Sequence, residues 1–196
     1  MSEPNLTRFN EALEDTIFSD FVHSTQTEPD GDVIGACRTL RELDGEGNPR
    51  SNRNSYHSST FGTDHKCGVD VLDNLMDDCY NYTNSFFRRT FNNEFHKNSW
   101  WVNMGGKNAY HNPHVHGRSK LIGIFFVTAP EGAGDLVLNR NDGTCYTGTY
   151  CNHKWGRNFY ITPEVNRLYI LPGHLWHWVD YHEGTEERIS ISINYE

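Results

Sequence analysis

From Trp100 to the end of the chain, apolar and polar residues alternate with a period of two. This pattern predicts half-buried strands, because successive side chains of a strand point to opposite faces of its sheet. Loops rich in glycine, asparagine and proline separate the runs, and no helical segment lies between them. We therefore predict a mainly β fold, a jelly roll (double-stranded β-helix, or cupin-like barrel), and not a parallel α/β sheet. The runs are WVNM, KLIGIFFV, DLVL, CYTGTY, NFYI, RLYIL, WHWVDY and ERISISIN.

The first half of the chain shows the spacing of apolar residues that is typical of helices. It predicts one helix over residues 6–22. A longer apolar stripe predicts a second helix, which Thr63 or Asp64 caps and which ends near residues 88–91. Between the two helices, residues 28–56 are rich in Gly, Asp, Asn and Arg and predict loops around one or two short strands.

The length and charge of the chain limit its organisation and its partners. With 196 residues, we expect a single domain over residues 1–196, in which residues 1–95 support a jelly-roll core at residues 96–196. The net charge of −9 disfavours nucleic acid and anionic membranes as partners. The N-terminus lacks a targeting signal, and no apolar run is long enough to span a bilayer. We expect a cytoplasmic protein, and a homodimer is left open.

The five cysteines are odd in number and include no CxxC pair. This pattern is typical of free thiols in a reducing compartment. Cys145 and Cys151 could face each other across a hairpin, but we expect free thiols there too.

The run Tyr110-His-Asn-Pro-His-Val-His116 holds three of the 11 histidines of the chain. On a strand, His114 and His116 would point to the same face, about 6 to 7 Å apart. Two imidazoles at that spacing can bind one metal ion. The alternative is a polar loop with exposed histidines, and by itself the cluster favours a metal site slightly.

A second cluster, Leu171-Pro-Gly-His-Leu-Trp-His-Trp-Val179, places His174 and His177 among apolar residues. The Pro-Gly pair predicts a tight turn before them. A buried imidazole needs a partner for its lone pair, which a metal ion or a hydrogen-bond donor can supply. Taken alone, this cluster favours an ordinary core histidine.

The last strand-like run puts Arg188, Ser190 and Ser192 on one face and three isoleucines on the other. If the polar face points into a barrel, the guanidinium can bind a carboxylate through two hydrogen bonds, and a hydroxyl can add a third. If it points to solvent, Arg188 is a surface charge, and this strand alone favours that interpretation.

Taken together, the three features resemble the 2-oxoglutarate- and Fe(II)-dependent dioxygenases. In that superfamily an early strand carries H-x-D/E, a later strand carries a distal histidine, and an arginine follows it. The likeness is greatest to a subfamily of 2-oxoglutarate-Fe(II) oxygenases found in bacteria and in phages of marine cyanobacteria. It covers about residues 50–195. The matching motifs are Ser51-Asn-Arg-Asn-Ser-Tyr-His-Ser58, Trp101-Val-Asn103, Asn112-Pro-His-Val-His116 with the run that follows it to Phe126, Pro172-Gly-His-Leu-Trp-His-Trp-Val179 and Glu187-Arg-Ile-Ser-Ile-Ser192.

The resemblance implies a hydroxylase-type oxygenase that uses Fe(II), 2-oxoglutarate and O2 and releases succinate and CO2. A viral source would place it in the host cytoplasm. The implied metal ligands and catalytic residues are His114, His116 and His177. Arg188 would bind the C5 carboxylate of 2-oxoglutarate, helped by Ser190. The resemblance also implies a co-substrate contact at Asn103.

One departure from the superfamily concerns the metal. His116 stands where the carboxylate ligand is expected, and no histidine is followed two positions later by Asp or Glu. Three histidines would be neutral ligands and leave the ion its full +2 charge. If His116 does not bind, water or Asp135 could take its place. Of these, we favour three histidines. A second departure is that Phe125 and Phe126 replace two tyrosines, and Lys120 and Tyr110 are the candidates to replace a lost hydroxyl contact.

Two other functions fit parts of the sequence. A cupin-type metal enzyme that does not use 2-oxoglutarate would explain H-x-H and the late histidine, but it would want a glutamate four or five residues after His116 and would leave Arg188 without a role. A non-catalytic jelly-roll binding module would need no metal at all.

Overall fold

The computed structural model of the chain describes residues 21–48, 50–139 and 158–196. Within these ranges it contains two helices, α1 (Val33–Asp44) and α2 (Asp70–Phe91), and ten strands. The strands are β1 (His23–Gln26), β2 (Asn52–His57), β3 (Phe61–Gly62), β4 (Asn98–His114), β5 (Leu121–Thr128), β6 (Leu136–Asn139), β7 (Asn158–Ile161), β8 (Arg167–Pro172), β9 (Trp176–Val179) and β10 (Arg188–Tyr195).

The strands form one curled antiparallel sheet in the order β1-β8-β5-β10-β4-β9-β6-β7, with β2 and β3 paired to β4. Strand β4 joins the two halves of this sheet. Its first part pairs with β10, from Tyr195 opposite Asn98 to Arg188 opposite Gly105. Its last part pairs with β9, with His111 opposite Val179 and His114 opposite His177, and the register shifts between these two pairs. The mainly β, jelly-roll architecture predicted from the alternation is confirmed.

Two separate apolar cores lie on the two faces of the part of the sheet that contains β5 and β8. On one side, alternate residues of β4, β5, β8 and β10 pack with α1 and α2 in a single apolar cluster. On the other side, the opposite residues of β5 and β8 form a second cluster with β6, β7 and β9 inside the curl of the sheet. The period of two along each strand therefore sorts its side chains between a helix-covered core and the barrel interior.

Strand β10 shows this division most clearly. Ile189, Ile191 and Ile193 are fully buried against the helix side. Ser190 and Ser192 face the barrel interior, where they line a small enclosed cavity. The prediction that the polar and apolar residues of this strand occupy opposite faces is confirmed.

The prediction of loops and short strands over residues 28–56 is wrong for its first half. Helix α1 occupies Val33–Asp44, and it buries Val33, Ala36, Cys37 and Leu40. These residues follow helical spacing, and the side chain of Asp32 caps the helix by accepting a hydrogen bond from the Gly35 amide at 2.9 Å. Polar residues of the exposed face separate these four apolar positions in the sequence, so the helical spacing is hard to recognise there.

The second predicted helix exists, but its start is wrong. Helix α2 begins at Asp70, since β3 and a turn occupy the residues where Thr63 and Asp64 lie. Its end at Phe91 agrees with the prediction. The buried Asp73 accepts hydrogen bonds from the amides of Cys67 and Gly68 and so ties the turn to the first helical residues.

Three further predictions fall wholly or almost wholly outside what the structure describes. The helix over residues 6–22 lies outside the described residues except for its last two positions, and the strand CYTGTY, Cys145 and Cys151 lie outside them entirely.

The three described cysteines, Cys37, Cys67 and Cys79, are free thiols. Among the described helices, neither is long and apolar enough to cross a membrane.

Strand β10 should be a principal source of stability, because it lies between the two cores. Replacing the fully buried Ile191 by alanine should lower the free energy of unfolding by about 2–5 kcal/mol. The control is Leu43→Ala on α1, whose side chain is 71% exposed and whose loss should change stability by no more than about 0.5 kcal/mol. Urea denaturation measures both, and equal effects would contradict the placement of β10.

Candidate metal centre

Three histidines, one at the end of β4, one just beyond it and one on the neighbouring β9, meet in the barrel interior. His114 is the last residue of β4 and pairs in register with His177 of β9, while His116 follows two residues later. Each offers one ring nitrogen to a group whose ligand atoms all lie within 4.8 Å of one another. Imidazole nitrogens that share a metal ion at about 2.1 Å lie roughly 3–3.5 Å apart, so a small closure would let all three bind. Asp135 is not part of this group.

Each of the three imidazoles donates its Nδ1–H to an oxygen. His114 donates to the carbonyl of Asn112 at 2.7 Å, and His177 donates to the carbonyl of Leu175 at 2.8 Å. His116 donates to the side-chain oxygen of Asn194 at 2.5 Å. With the proton on Nδ1, Nε2 keeps the lone pair that a metal ion needs. The hydrogen bonds therefore select the same tautomer in all three histidines.

His116 lies beyond the end of β4, so the expectation that it shares a strand face with His114 is wrong. Other contacts hold it in place. Its backbone amide donates to the carbonyl of Gly173 at 2.8 Å, and its ring stacks on Trp101 with centroids 5.8 Å apart. A Cβ at Gly173 would lie 2.1 Å from the carbonyl oxygen of Ser119, so only glycine allows this close approach. Asn194, which bonds the ring, is oriented by a 3.2 Å bond to Ser99.

Burial keeps these imidazoles neutral. Together with smaller effects of His114 and His116, it lowers the pKa of His177 from 6.5 to about 3. Burial also lowers the pKa of His116 to about 4, against the opposing effect of its hydrogen bond to Asn194. The pKa of His114 is lowered for the same reason. Neutral imidazoles are the form that binds a metal ion, so protons compete with the metal only in acid.

The polar face of β10 leads away from the three histidines toward a buried cation. Ser190 is 7% exposed and Arg188 only 4%. The Arg188 guanidinium donates to the backbone carbonyls of Ala133 and Asp180, and it forms no ion pair with a carboxylate of the described residues. Burial lowers its pKa to about 10, which still leaves it charged at neutral pH. A buried cation that has only carbonyl partners can accommodate an anion.

Asn103 lies opposite Ser190 in the pairing of β4 with β10. Its Nδ2 donates to the hydroxyl of Ser192 at 3.1 Å, while its Oδ1 is buried without a hydrogen-bond partner. The two ends of an amide are interchangeable in such a site. If Oδ1 accepts from Ser192, the amide nitrogen becomes the group that needs a partner, and a carboxylate would satisfy it.

His111 is a site residue that the sequence did not single out. It lines the same enclosed cavity as His114, His116 and His177. Burial, and next the positive charge of Arg188, hold its pKa well below 6.5, so it is a neutral imidazole close enough to feel both that cation and the other histidines. The register shift between His111 and His114 breaks strict alternation, which is why strand periodicity does not predict its orientation. Its only sequence signal is its place in the 110–116 cluster.

The other residues considered from the sequence lie elsewhere. Lys120 is exposed and reaches the carbonyl of Glu94, and Tyr110 packs against Tyr181 with ring centroids 4.4 Å apart. Neither lines the enclosed cavity. His174 is exposed and is not part of the metal group.

Residues 99–194 match a family model described as "Putative 2OG-Fe(II) oxygenase". This segment belongs to the 2-oxoglutarate- and Fe(II)-dependent oxygenases. The match contains every member of the histidine group, and Asn103, Arg188 and Ser190 as well. The oxygenase is thus an enzyme of a family that uses Fe(II) and 2-oxoglutarate, and its three histidines form a group that could hold the iron.

Solved structures with the same fold include other members of this enzyme group. A prolyl-4-hydroxylase from Pseudomonas putida is 14% identical with a TM-score of 0.66, and the match covers 97% of this chain and 98% of that chain. A 2OG-Fe(II) oxygenase family oxidoreductase from Burkholderia pseudomallei is 12% identical with a TM-score of 0.58, covering 100% and 91%. A prolyl hydroxylase from Trichoplax adhaerens, in complex with a hypoxia inducible factor peptide fragment, is 14% identical with a TM-score of 0.61, covering 89% and 82%.

At these identities the likeness establishes a shared fold. No curated protein matches the oxygenase in sequence. These comparisons give no support to the phage origin that the sequence resemblance suggested.

The buried histidines should make the metal-free oxygenase sensitive to acid. The pKa of His177 is about 3 when folded and 6.5 when unfolded, so the unfolded chain binds more protons between these values. The stability that this neutral imidazole supplies is complete above pH 6.5 and is lost as the pH falls. His177 should therefore lower the free energy of unfolding by about 2 kcal/mol between pH 6.5 and pH 5. Urea denaturation with a chelator measures this loss, and His177→Asn should lack it. An unchanged pH dependence in that variant would contradict the burial of a neutral His177.

The Asn194 bond should set the affinity of the metal site. Asn194→Leu removes the acceptor of His116 Nδ1–H, and Fe(II) affinity should fall by about 10- to 100-fold, as is usual for such supporting bonds. Asn194→Asp retains an acceptor and should keep the affinity or raise it. Competition with a metal-binding dye under anaerobic conditions measures both. Equal affinity of the Leu variant and the unmodified protein would show that His116 needs no such support.

Proposed function

We propose that this oxygenase hydroxylates an organic substrate while it converts 2-oxoglutarate to succinate and CO2. The observation that carries the proposal is the position of two sites along the polar face of β10. Ser190 and Ser192 line the cavity of the three histidines, and the buried Arg188 lies on the same strand face. A dicarboxylate that binds a metal ion at one end and a cation at the other requires such an arrangement.

We assign the metal to His114, His116 and His177, which would also be the catalytic residues. These protein ligands would leave three positions of an octahedral ion for 2-oxoglutarate and O2. Because the ligands are neutral, the ion would keep its +2 charge and attract the anionic co-substrate more strongly than a site with a carboxylate ligand does.

We assign the far carboxylate of 2-oxoglutarate to Arg188, with Ser190 and Asn103 as further hydrogen-bonding partners. These residues fit the group, since a buried cation and an unpartnered amide lie on neighbouring strands. His111 lies beside them and could donate an additional N–H. The enclosed cavity at the histidines measures about 20 Å³, enough for roughly one ion or water. Entry of a five-carbon diacid therefore requires side chains around it to move.

The chemistry that the bound iron and co-substrate supply is the coupled oxidation of 2-oxoglutarate and the substrate. One oxygen atom of O2 enters succinate, and the other enters the new hydroxyl group, while the C1 carboxylate leaves as CO2. The chain would position the reactants and exclude water. Burial of His177 and Arg188 supports this role, because the histidine group and the cation both contain a side chain that is shielded from solvent.

The two rival functions account for less of the structure. A metal enzyme without 2-oxoglutarate would not explain a buried cation that lacks a carboxylate partner among the described residues. A binding module without a metal would not explain three histidines with matched tautomers. Burying such groups costs free energy, and a ligand for each of them offsets that cost.

The protein loaded with Fe(II) should form succinate from 2-oxoglutarate and O2, at least in an uncoupled reaction without a substrate. Product analysis by mass spectrometry measures this, with the His177→Ala variant as the control. That variant should form none, because the deeply buried ligand is lost. A purified protein that retains stoichiometric iron but forms no succinate with a broad range of substrates would contradict the proposal.

Arg188 should determine the affinity for 2-oxoglutarate but not for iron. Arg188→Ala should weaken 2-oxoglutarate binding by about 10- to 150-fold, which corresponds to the loss of one charge-assisted interaction. Arg188→Lys keeps the charge but not the bidentate geometry, so its 2-oxoglutarate affinity should lie between those of the unmodified protein and the Ala variant. Anaerobic calorimetry on the iron-loaded protein measures both variants. Unchanged 2-oxoglutarate affinity in the Ala variant would contradict the assignment and favour the cupin-type alternative.

A further inference from the structure

A second, larger pocket lies on the outer side of the histidine group. It has a volume of about 470 Å³, which is in the usual range for a small-molecule site. His114 and His116 line both this groove and the enclosed cavity. A molecule in the groove would therefore reach the metal ligands directly. We call this pocket the outer groove.

Two arginines give the outer groove a positive charge in a protein whose net charge is −9. Arg50 and Arg118 are both exposed, and neither forms an ion pair with a carboxylate in the described ranges. By contrast, Arg38 and Arg41 on α1 both pair with Glu187.

One carboxylate, Glu196, also lines the groove. It lies near the ammonium group of Lys97, whose pKa it helps to raise after the larger effect of Asp64. Its charge is thus partly offset outside the groove. Arg50 and Arg118 are thus the two cationic side chains of the lining, and Glu196 is its one acidic side chain.

The wall between the arginines and the metal ligands is aromatic. His57 and Trp101 stack with ring centroids 5.4 Å apart, and Trp101 stacks in turn on His116. His57 is 3% exposed and bonds Ser58 through Nδ1 at 2.8 Å, which leaves Nε2 without a hydrogen-bond partner in the described part of the chain. Burial, and then the charge of Arg50, lower the pKa of His57, so its ring is a neutral acceptor beside that guanidinium.

We propose that the primary substrate is a small anionic molecule whose carboxylate or phosphate group binds Arg50 and Arg118 in the outer groove. This inference rests on the proposed function, because the groove matters only if the histidines hold a reactive metal. Arginine guanidinium groups recognise both anions through paired hydrogen bonds. His57 and Trp101 would contact the uncharged body of the substrate and direct it toward His116.

The test compares charged and uncharged probes on protein loaded anaerobically with Fe(II) and 2-oxoglutarate. Benzoate and phenyl phosphate carry the two anions, and benzamide and benzyl alcohol are their uncharged counterparts. Calorimetry measures binding. The visible charge-transfer absorption of the iron–2-oxoglutarate chelate reports whether the metal site stays assembled. The variant is the double replacement Arg50→Gln and Arg118→Gln, and the control is Arg89→Gln, an equally exposed arginine on α2.

The proposal expects one or both anions to bind with the absorption intact, and at least tenfold more tightly than their counterparts. The affinity of the double variant for the anion should be about tenfold lower, while the control variant should bind as the unmodified protein does. Added salt should weaken the binding of the anion. The stronger of the two anions identifies the substrate group. No binding of either anion, equal binding of the uncharged probes, equal binding to the double variant, or displacement of 2-oxoglutarate would each overturn it. Absence of the absorption before any probe is added would instead refute the proposed function itself.

Discussion

The pairing of β10 with β4 determines which side chains face the barrel interior. It runs without interruption from Arg188 opposite Gly105 to Tyr195 opposite Asn98. Because the period of a strand is two, this register sends the isoleucines to the helix-covered core and the polar residues into the barrel. A shift by one residue would bury Arg188 among the helices and expose the isoleucines to the cavity. The apolar face thus fixes the position of the site.

The hydrogen bonds of the histidine rings connect the fold to its chemistry. Each ring donates to a different acceptor: the Asn112 carbonyl near the end of β4, the Leu175 carbonyl in the turn before β9, and Asn194 on β10. Three segments distant in sequence therefore orient a single group of nitrogens. If these three neutral histidines are the metal ligands, as proposed, the site would have no negative charge of its own to offset the ion. The charge balance would then come from 2-oxoglutarate, whose far carboxylate we assign to Arg188.

The sequence predicted the strands and the opposite faces of β10 well, because alternation over many residues is a strong local signal. It did not predict α1, whose short apolar stripe is interrupted by charged residues. It also misjudged how His116 is held, since Gly173, Trp101 and Asn194 come from elements far apart in the chain. His111 and His57 were missed for a similar reason. Their place in the site depends on register shifts and on strand pairing, which local patterns do not encode.

We have assigned Fe(II) to the Nε2 atoms of three neutral imidazoles, with no carboxylate ligand. A crystal structure of the protein soaked anaerobically with Fe(II) and 2-oxoglutarate would show the ligands themselves. We predict one iron ion about 2.1 Å from Nε2 of His114, His116 and His177, with 2-oxoglutarate extending from the iron to Arg188. An iron ion that His116 does not contact, with water or a carboxylate such as Asp135 in its place, would refute this assignment.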